Sequence, residues 1–167
     1  MGTPPVVAAV FLLGALPICL WVAHADLSRL KIPNKAVMAL AALFAVLGLA
    51  LVLLGAWTLG DWAWRWSHLA LALPIGMVLN AVWLIGAGDA KLAAAAAPFV
   101  AVSDFDVVLW LLPLALLACW IPHAVAKRTV GPVLAPGWAS WTSGKRFPFG
   151  LAIAATLVAY LGLCAAA

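Results

Sequence analysis

The chain has 167 residues, of which 68% are hydrophobic and only 8% charged, and its mean hydropathy is +1.20. Soluble domains carry about 25% charged residues, and a soluble fold of this length could not cover so much apolar surface with so few charges, so lipid is the expected solvent. The net charge of +4 is small and the basic residues fall between the apolar runs, which argues for membrane topology and against a nucleic-acid partner.

A spanning helix needs about 20 mainly apolar residues. Apolar runs cover residues 5–24, 36–57, 68–85, 91–102, 105–125 and 148–166. The fourth is short and contains Pro98, so it is expected to extend back through Gly88 and Asp89, to tilt, or to span only in part. The N-terminus lacks Lys or Arg ahead of the first run, so it does not read as a cleavable signal. Arg29, Lys31 and Lys35 occupy the first connection, Lys91 follows the third run, and Lys127, Arg128, Lys145 and Arg146 lie in the fifth connection. The second connection holds Asp61 and Arg65 among Trp57, Trp62, Trp64 and Trp66. Six spans with the N-terminus outside collect eight of the nine Lys and Arg on one face, which the positive-inside rule makes cytoplasmic. The expected fold is therefore all-α, a polytopic membrane protein of about six transmembrane helices forming a single domain over residues 1–167.

Several features read as structural. Cys19, Cys119 and Cys164 are scattered in apolar sequence with no C-x-x-C, so neither a metal site nor a redox pair is expected. His24, His68 and His123 sit near separate span ends and read as interface residues, while Asn80 and the ten tryptophans read as packing or membrane anchors. Asp61, Asp104 and Asp106 read as solvated loop residues or helix caps. Residues 126–147 are rich in Gly and Pro, with Trp138 and Trp141, and read as a loop lying at the interface.

Asp26 and Asp89 stand apart. Each lies at the cytoplasmic end of an apolar run, where an acid costs about 2.5–3.5 kcal/mol at full membrane depth. They are 63 positions apart in sequence, so only adjacent helices of a bundle bring them together. Two carboxylates held close share a proton; the ionised one activates a water, and the protonated one polarises a peptide carbonyl. That chemistry needs no metal or cofactor. Gly86 and Gly88 let the backbone break from helix and let a substrate backbone approach Asp89. The plainer alternative pairs Asp26 with Arg29 one turn on and makes Asp89 an N-cap. A proton relay in a small transporter or channel subunit would use the same acids.

The surrounding residues resemble a known family. Asp26-Leu-Ser-Arg-Leu-Lys-Ile-Pro-Asn34, then Gly86-Ala-Gly-Asp-Ala-Lys91, then Phe147-Pro-Phe-Gly-Leu-Ala-Ile-Ala154 are similar, in order and spacing, to the three motifs of the type IV prepilin peptidases. These are intramembrane aspartyl proteases of the GxGD type. The resemblance implies catalytic aspartates at Asp26 and Asp89. Its motif positions also fall on Arg29, Ile32, Pro33, Asn34, Gly86, Gly88, Lys91, Pro148 and Gly150. It further implies an enzyme of the bacterial inner membrane that removes the short basic leader of prepilin- or pseudopilin-like proteins at the cytoplasmic face, usually after a glycine. An inactive relative serving as an assembly scaffold is a further alternative.

Two departures are visible. Larger members carry an N-terminal cytoplasmic domain, often with paired C-x-x-C motifs, and methylate the new N-terminus. This chain starts almost directly with its first span, so it resembles the minimal peptidase of tight-adherence (Flp) pilus systems, and methyltransferase activity is not expected. In the third motif Phe149 stands where Tyr is common, and Ala155 and Thr156 follow Ala154 where a glycine is expected. The eight cytoplasmic cations would repel a basic leader and read as topology and headgroup anchors. Lys91 would tune Asp89 only if the backbone between them were extended, since a spacing of two does not share a helix face.

Overall fold

The computed structural model describes residues 1–144 and 146–167, and these are helical with no strand among them. Lys145, one of the expected cytoplasmic cations, lies outside the described residues. The helices are α1 (Pro5–Arg29), α2 (Asn34–Leu53), α3 (Leu59–Ala81), α4 (Ala87–Ala96), α5 (Phe105–Arg128), the single turns α6 (Gly131–Leu134) and α7 (Ala139–Thr142), and α8 (Phe149–Ala166). Four stretches are long and apolar enough to cross a membrane: Pro5–Arg29, Asn34–Leu53, Val102–Arg128 and Phe149–Ala166. Prolines stand inside α1, α3 and α5 (Pro17, Pro74, Pro113 and Pro122) without ending them. Such prolines persist in apolar surroundings because neighbouring groups re-satisfy the few carbonyls they free.

Burial is distributed as lipid solvation demands. Leu109, Trp110, Leu117 and Trp120 on α5 all point outward, and His123 is the only buried residue of that helix. The interior is instead held by α1, α2, α4 and α8. At its centre Phe11 meets Phe44, Trp57 and Phe99 with ring centroids 5.1–5.7 Å apart. The Ala-rich α4 threads through this interior, burying Ala90, Leu92, Ala94, Ala95 and Ala96. Small residues permit close helix approach; a Cβ on Gly76 of α3 would stand 2.9 Å from the Ala90 Cβ.

The two ends of the bundle carry different polar groups. At the N-terminal end of α1, the Asp104 carboxylate accepts from the Gly2 amide (2.9 and 2.8 Å) and from the Tyr160 hydroxyl (2.8 Å). Arg65 donates there to the Phe99 carbonyl (2.9 Å), the Gly2 carbonyl (3.3 Å) and Thr3 Oγ1 (3.0 Å), and its guanidinium lies 5.0 Å from the Trp57 ring centroid. At the C-terminal end of α1, Asp26 and Asp89 line one cavity. The segment from Asp89 to Asp104 therefore runs from one end of α1 to the other, although α4 has only 10 residues, about 15 Å of helix. The 3-10 turns Ala97–Phe99 and Val102–Asp104 carry the chain the remaining distance.

Several expectations are corrected. Thr58 caps α3, its Oγ1 accepting from the Asp61 amide at 3.0 Å and donating to Asp61 Oδ2 at 2.7 Å. Trp62, Trp64, Arg65 and Trp66 therefore ride on helix rather than in a loop, and the third helix occupies Leu59–Ala81 instead of residues 68–85. Asp61 is a capping residue and Asp106 is exposed, as expected; Asp104 stands at the N-cap position of α5, also as expected, but it is buried rather than solvated and its side chain makes no cap bond. His123 is buried rather than interfacial, stacked on Trp141 with centroids 5.1 Å apart. Trp138 stacks on Trp141 and meets His24 edge-on, so the 126–147 segment folds back on the bundle through its tryptophans and contains two helical turns.

Candidate functional site

Asp26 lies in the last turn of α1, not beyond it, because the helix continues five residues past the apolar run to Arg29. Helical geometry turns Asp26 inward and buries it, while Arg29 emerges exposed. Leu30 then adopts a left-handed conformation (φ 51°) and its amide bonds the Asp26 carbonyl at 2.8 Å. That stops the helix and aims Ile32 back under the bundle. Pro33 occupies the N-cap position of α2, where its missing N–H costs nothing.

Asp89 is delivered by a different device. Asn80 Nδ2 donates to the Ile85 carbonyl at 2.8 Å, pinning a tight turn in which Trp83 is left-handed (φ 62°). Gly86 follows as the extended N-cap of α4, so Asp89 is the third helical residue rather than the cap itself. A Cβ on Gly86 would meet Asp89 Oδ2 at 2.6 Å, so glycine leaves room for the carboxylate to fold back over the Gly86 amide. An acid in this first turn is favoured by the helix dipole. The backbone break expected at both glycines occurs at Gly86 alone; Gly88 is helical.

Gly88 and Gly150 serve instead as sockets. A Cβ on Gly88 would stand 3.3 Å from Ile32 Cβ, and one on Gly150 would stand 2.6 Å from Ile32 Cδ1 and 2.9 Å from Asp26 Oδ2. Ile32 thus wedges between the start of α4 and the start of α8, and all three sequence motifs meet around one side chain. Pro148 is the buried N-cap residue of α8, and the amides of Gly150 and Leu151 face the Asp26 carboxylate. Even so, Asp26 Oδ2 is buried with no hydrogen-bond partner. His68 Nε2, His123 Nε2 and Ser140 Oγ share that condition, so what sets Asp26 apart is its place in one cavity with Asp89.

The resulting cavity has a volume of about 340 Å³ and is lined by Asp26, Lys31, Ile32, Asn34, Gly86, Gly88, Asp89 and Lys91, among others. Asp89 lies near enough to Asp26 for the two charges to act on one another. The structure thereby brings together seven of the eleven positions singled out in the sequence. Gly150 abuts the cavity through Asp26, Pro33 and Pro148 sit at helix starts beside it, and Arg29 is exposed and not part of the lining. Asp26 thus shares its cavity with Asp89, and Arg29, its alternative partner, lies outside it. Lys91 does not face Asp89 along an extended backbone: the segment is helical, and Lys91 Nζ donates to Asn34 Oδ1 at 3.4 Å, tying α4 to the start of α2. Among the described residues no group of three His, Cys, Asp or Glu is placed to hold a metal ion.

Asn80, expected as a packing or anchor residue, instead sets the turn before Gly86. Its polarity in an otherwise apolar stretch six residues ahead of the glycine was the available signal. The socket geometry makes a definite prediction for Gly150→Ala. The added methyl displaces Asp26 or Ile32 by a few tenths of an ångström or more, and misplacement on the 1 Å scale costs about 10²-fold in rate. Helical content is expected to stay at the wild-type level, so circular dichroism beside an activity assay separates displacement from unfolding.

No family model, curated protein or solved structure matches the chain, so the site rests on its own geometry and on the motif resemblance.

Proposed function

We propose that the chain is a membrane aspartyl endopeptidase of the prepilin peptidase kind, crossing the membrane six times with its N-terminus outside and its Asp26/Asp89 cavity at the cytoplasmic face. The observation that carries this reading is the buried Asp26 carboxylate sharing one small polar cavity with Asp89, where the three sequence motifs meet. The end-to-end course of the segment from Asp89 to Asp104 supports the count of six, and the exposed Arg29, Lys31 and Lys91 near the Asp26 end support the orientation.

In this mechanism the dyad holds one proton. The ionised carboxylate takes a proton from water as the water oxygen attacks the peptide carbon, and the protonated carboxyl donates to the carbonyl oxygen. Collapse of the tetrahedral intermediate breaks the C–N bond, and a carboxyl proton passes to the departing amine. Neither metal nor cofactor enters. The substrate is a prepilin- or pseudopilin-like protein with a short basic leader.

Co-expression with such a prepilin provides the test. Leader loss seen as a mobility shift on a gel, with the new N-terminus read by mass spectrometry, is the expected result. An unprocessed prepilin alongside well-expressed, membrane-inserted protein would refute the assignment.

A further inference from the structure

Two helices of this chain end in the same backbone motif with different residues at its left-handed position. At the end of α2 the Gly55 amide donates to the Val52 carbonyl (3.0 Å) and the Ala56 amide to the Leu51 carbonyl (2.9 Å), with Gly55 at φ 71°. At the end of α3 the Trp83 amide donates to the Asn80 carbonyl (3.0 Å) and the Leu84 amide to the Leu79 carbonyl (3.0 Å), with Trp83 at φ 62°. This is the Schellman arrangement, and glycine ordinarily fills its left-handed position because a Cβ there is crowded. A bulky residue in that conformation is an outlier, so its side chain must gain something that offsets the cost.

The rest of the chain does not supply that gain. Trp83 is 93% exposed and does not line the Asp26/Asp89 cavity, and its neighbours Val82 and Leu84 are exposed as well. The bilayer does supply it. α3 has 23 residues, about 34 Å of helix, which matches a hydrocarbon core about 30 Å thick. With Trp62 and Trp64 of its first turns at one surface, the turn after Ala81 falls at the other, where an indole ring is favoured. The exposed row Leu71, Ile75, Val78 and Val82, spaced as one helix face, leads into that turn without a break.

What seats Trp83 is passed on to Asp89. Asn80 grips the turn twice, accepting from the Trp83 amide and donating through Nδ2 to the Ile85 carbonyl at 2.8 Å. Residues 80–85 therefore move as one piece. Gly86, the N-cap of α4, comes next, and Asp89 stands three residues beyond it in the first turn.

We propose that Trp83 is a positioning residue for Asp89: seated among the lipid headgroups beside the site, its indole fixes the height of the α3–α4 turn in the bilayer, and with it the place of the Asp89 carboxylate next to Asp26. The proposal deepens the peptidase reading, which supplies the reaction, while the seating of the turn stands independently of it. The lipid surface thereby becomes part of the site's scaffold.

The test uses the full chain in phosphatidylcholine/phosphatidylglycerol vesicles, with Trp83 or the lipid-facing Leu117 of α5 replaced by photoreactive p-benzoylphenylalanine. Lipid adducts at both positions are expected, and adducts at Leu117 alone would overturn the proposal. Trp83→Gly then gives the turn the residue it ordinarily takes and removes the indole. On a synthetic peptide with a basic segment followed by about 20 apolar residues, its kcat is expected to fall about ten-fold with KM unchanged, short of the 10²-fold that a 1 Å misplacement brings. Its unfolding temperature is expected to be no lower than that of wild type, and Trp83→Tyr, which keeps an interfacial aromatic ring, is expected to retain the rate within about two-fold. A turn that mattered only for its backbone would gain from glycine. Wild-type kcat in Trp83→Gly would therefore overturn the proposal and leave the peptidase standing. Modification of Asp89 by dicyclohexylcarbodiimide, which reaches neutral carboxyls from the apolar side, is read by mass spectrometry and needs no cleavage. It is expected to fall at least about two-fold in Trp83→Gly as the loosened turn admits water to the carboxyl. Unchanged modification would overturn the coupling even where the peptidase reading has failed.

Discussion

Asp26→Asn and Asp89→Asn are each expected to reduce leader removal by at least about 10³-fold, equivalent to about 4 kcal/mol of transition-state stabilisation, and the double variant is expected to be no worse than either single one. Non-additivity follows from the shared proton: once either carboxylate is an amide, no dyad remains to lose. The measurement is kcat/KM on purified protein with a prepilin substrate. Cleavage at the wild-type rate by either variant, or losses that multiply in the double variant, would refute a two-aspartate mechanism.

A stability measurement on the same variants separates catalytic from structural roles. Asp26 is buried with an oxygen that has no partner. A neutral, nearly isosteric amide there removes the cost of burying a charge, so Asp26→Asn is expected to unfold at the same or a higher temperature than wild type. Were Asp26 a structural anchor, the substitution would destabilise. Loss of activity with retained or improved stability is the signature of a group held under strain for chemistry.

The largest expected effect on stability lies at the opposite end of the bundle. Arg65→Ala is expected to cost about 3 kcal/mol, because it removes the donor to the Phe99 carbonyl, the Gly2 carbonyl and Thr3 Oγ1 from a site where water cannot replace it. Asp104, buried nearby, keeps its own donors, the Gly2 amide and the Tyr160 hydroxyl, so the loss falls on the acceptors of Arg65. Arg65→Lys is not expected to restore stability, since one ammonium cannot reproduce a planar fork reaching three acceptors. Unfolding in denaturing detergent, followed by circular dichroism, reads the loss directly. Wild-type stability in Arg65→Ala would show that this buried cluster is incidental.

The two ends differ in how plainly they show in the sequence. Asp26 and Asp89 were legible because each interrupts an apolar run, and because the residues around them form motifs of local spacing. Arg65 and Asp104 were not. Each sits among polar or aromatic neighbours, in Trp64-Arg-Trp66 and Ser103-Asp-Phe-Asp106, where a charge reads as solvated. What buries them is a meeting with Gly2, Thr3 and Tyr160, residues that hydropathy treats as unremarkable. The start of α3 was misjudged for a related reason. A stretch rich in tryptophan lowers local hydropathy, yet the Thr58 cap begins a helix there regardless.

By itself, the sequence determined the all-helical character, the apolar segments and the two acids worth attention, because each of these follows from composition, run length and local spacing. Only the tertiary structure decided which groups meet. It set Ile32 between Gly88 and Gly150, left Asp26 Oδ2 without a partner, and turned Lys91 toward Asn34. Those contacts depend on the register and packing of helices far apart in the chain. A one-turn change in that packing, about 5.4 Å along a helix axis, would leave the sequence patterns intact and separate every one of the contacts.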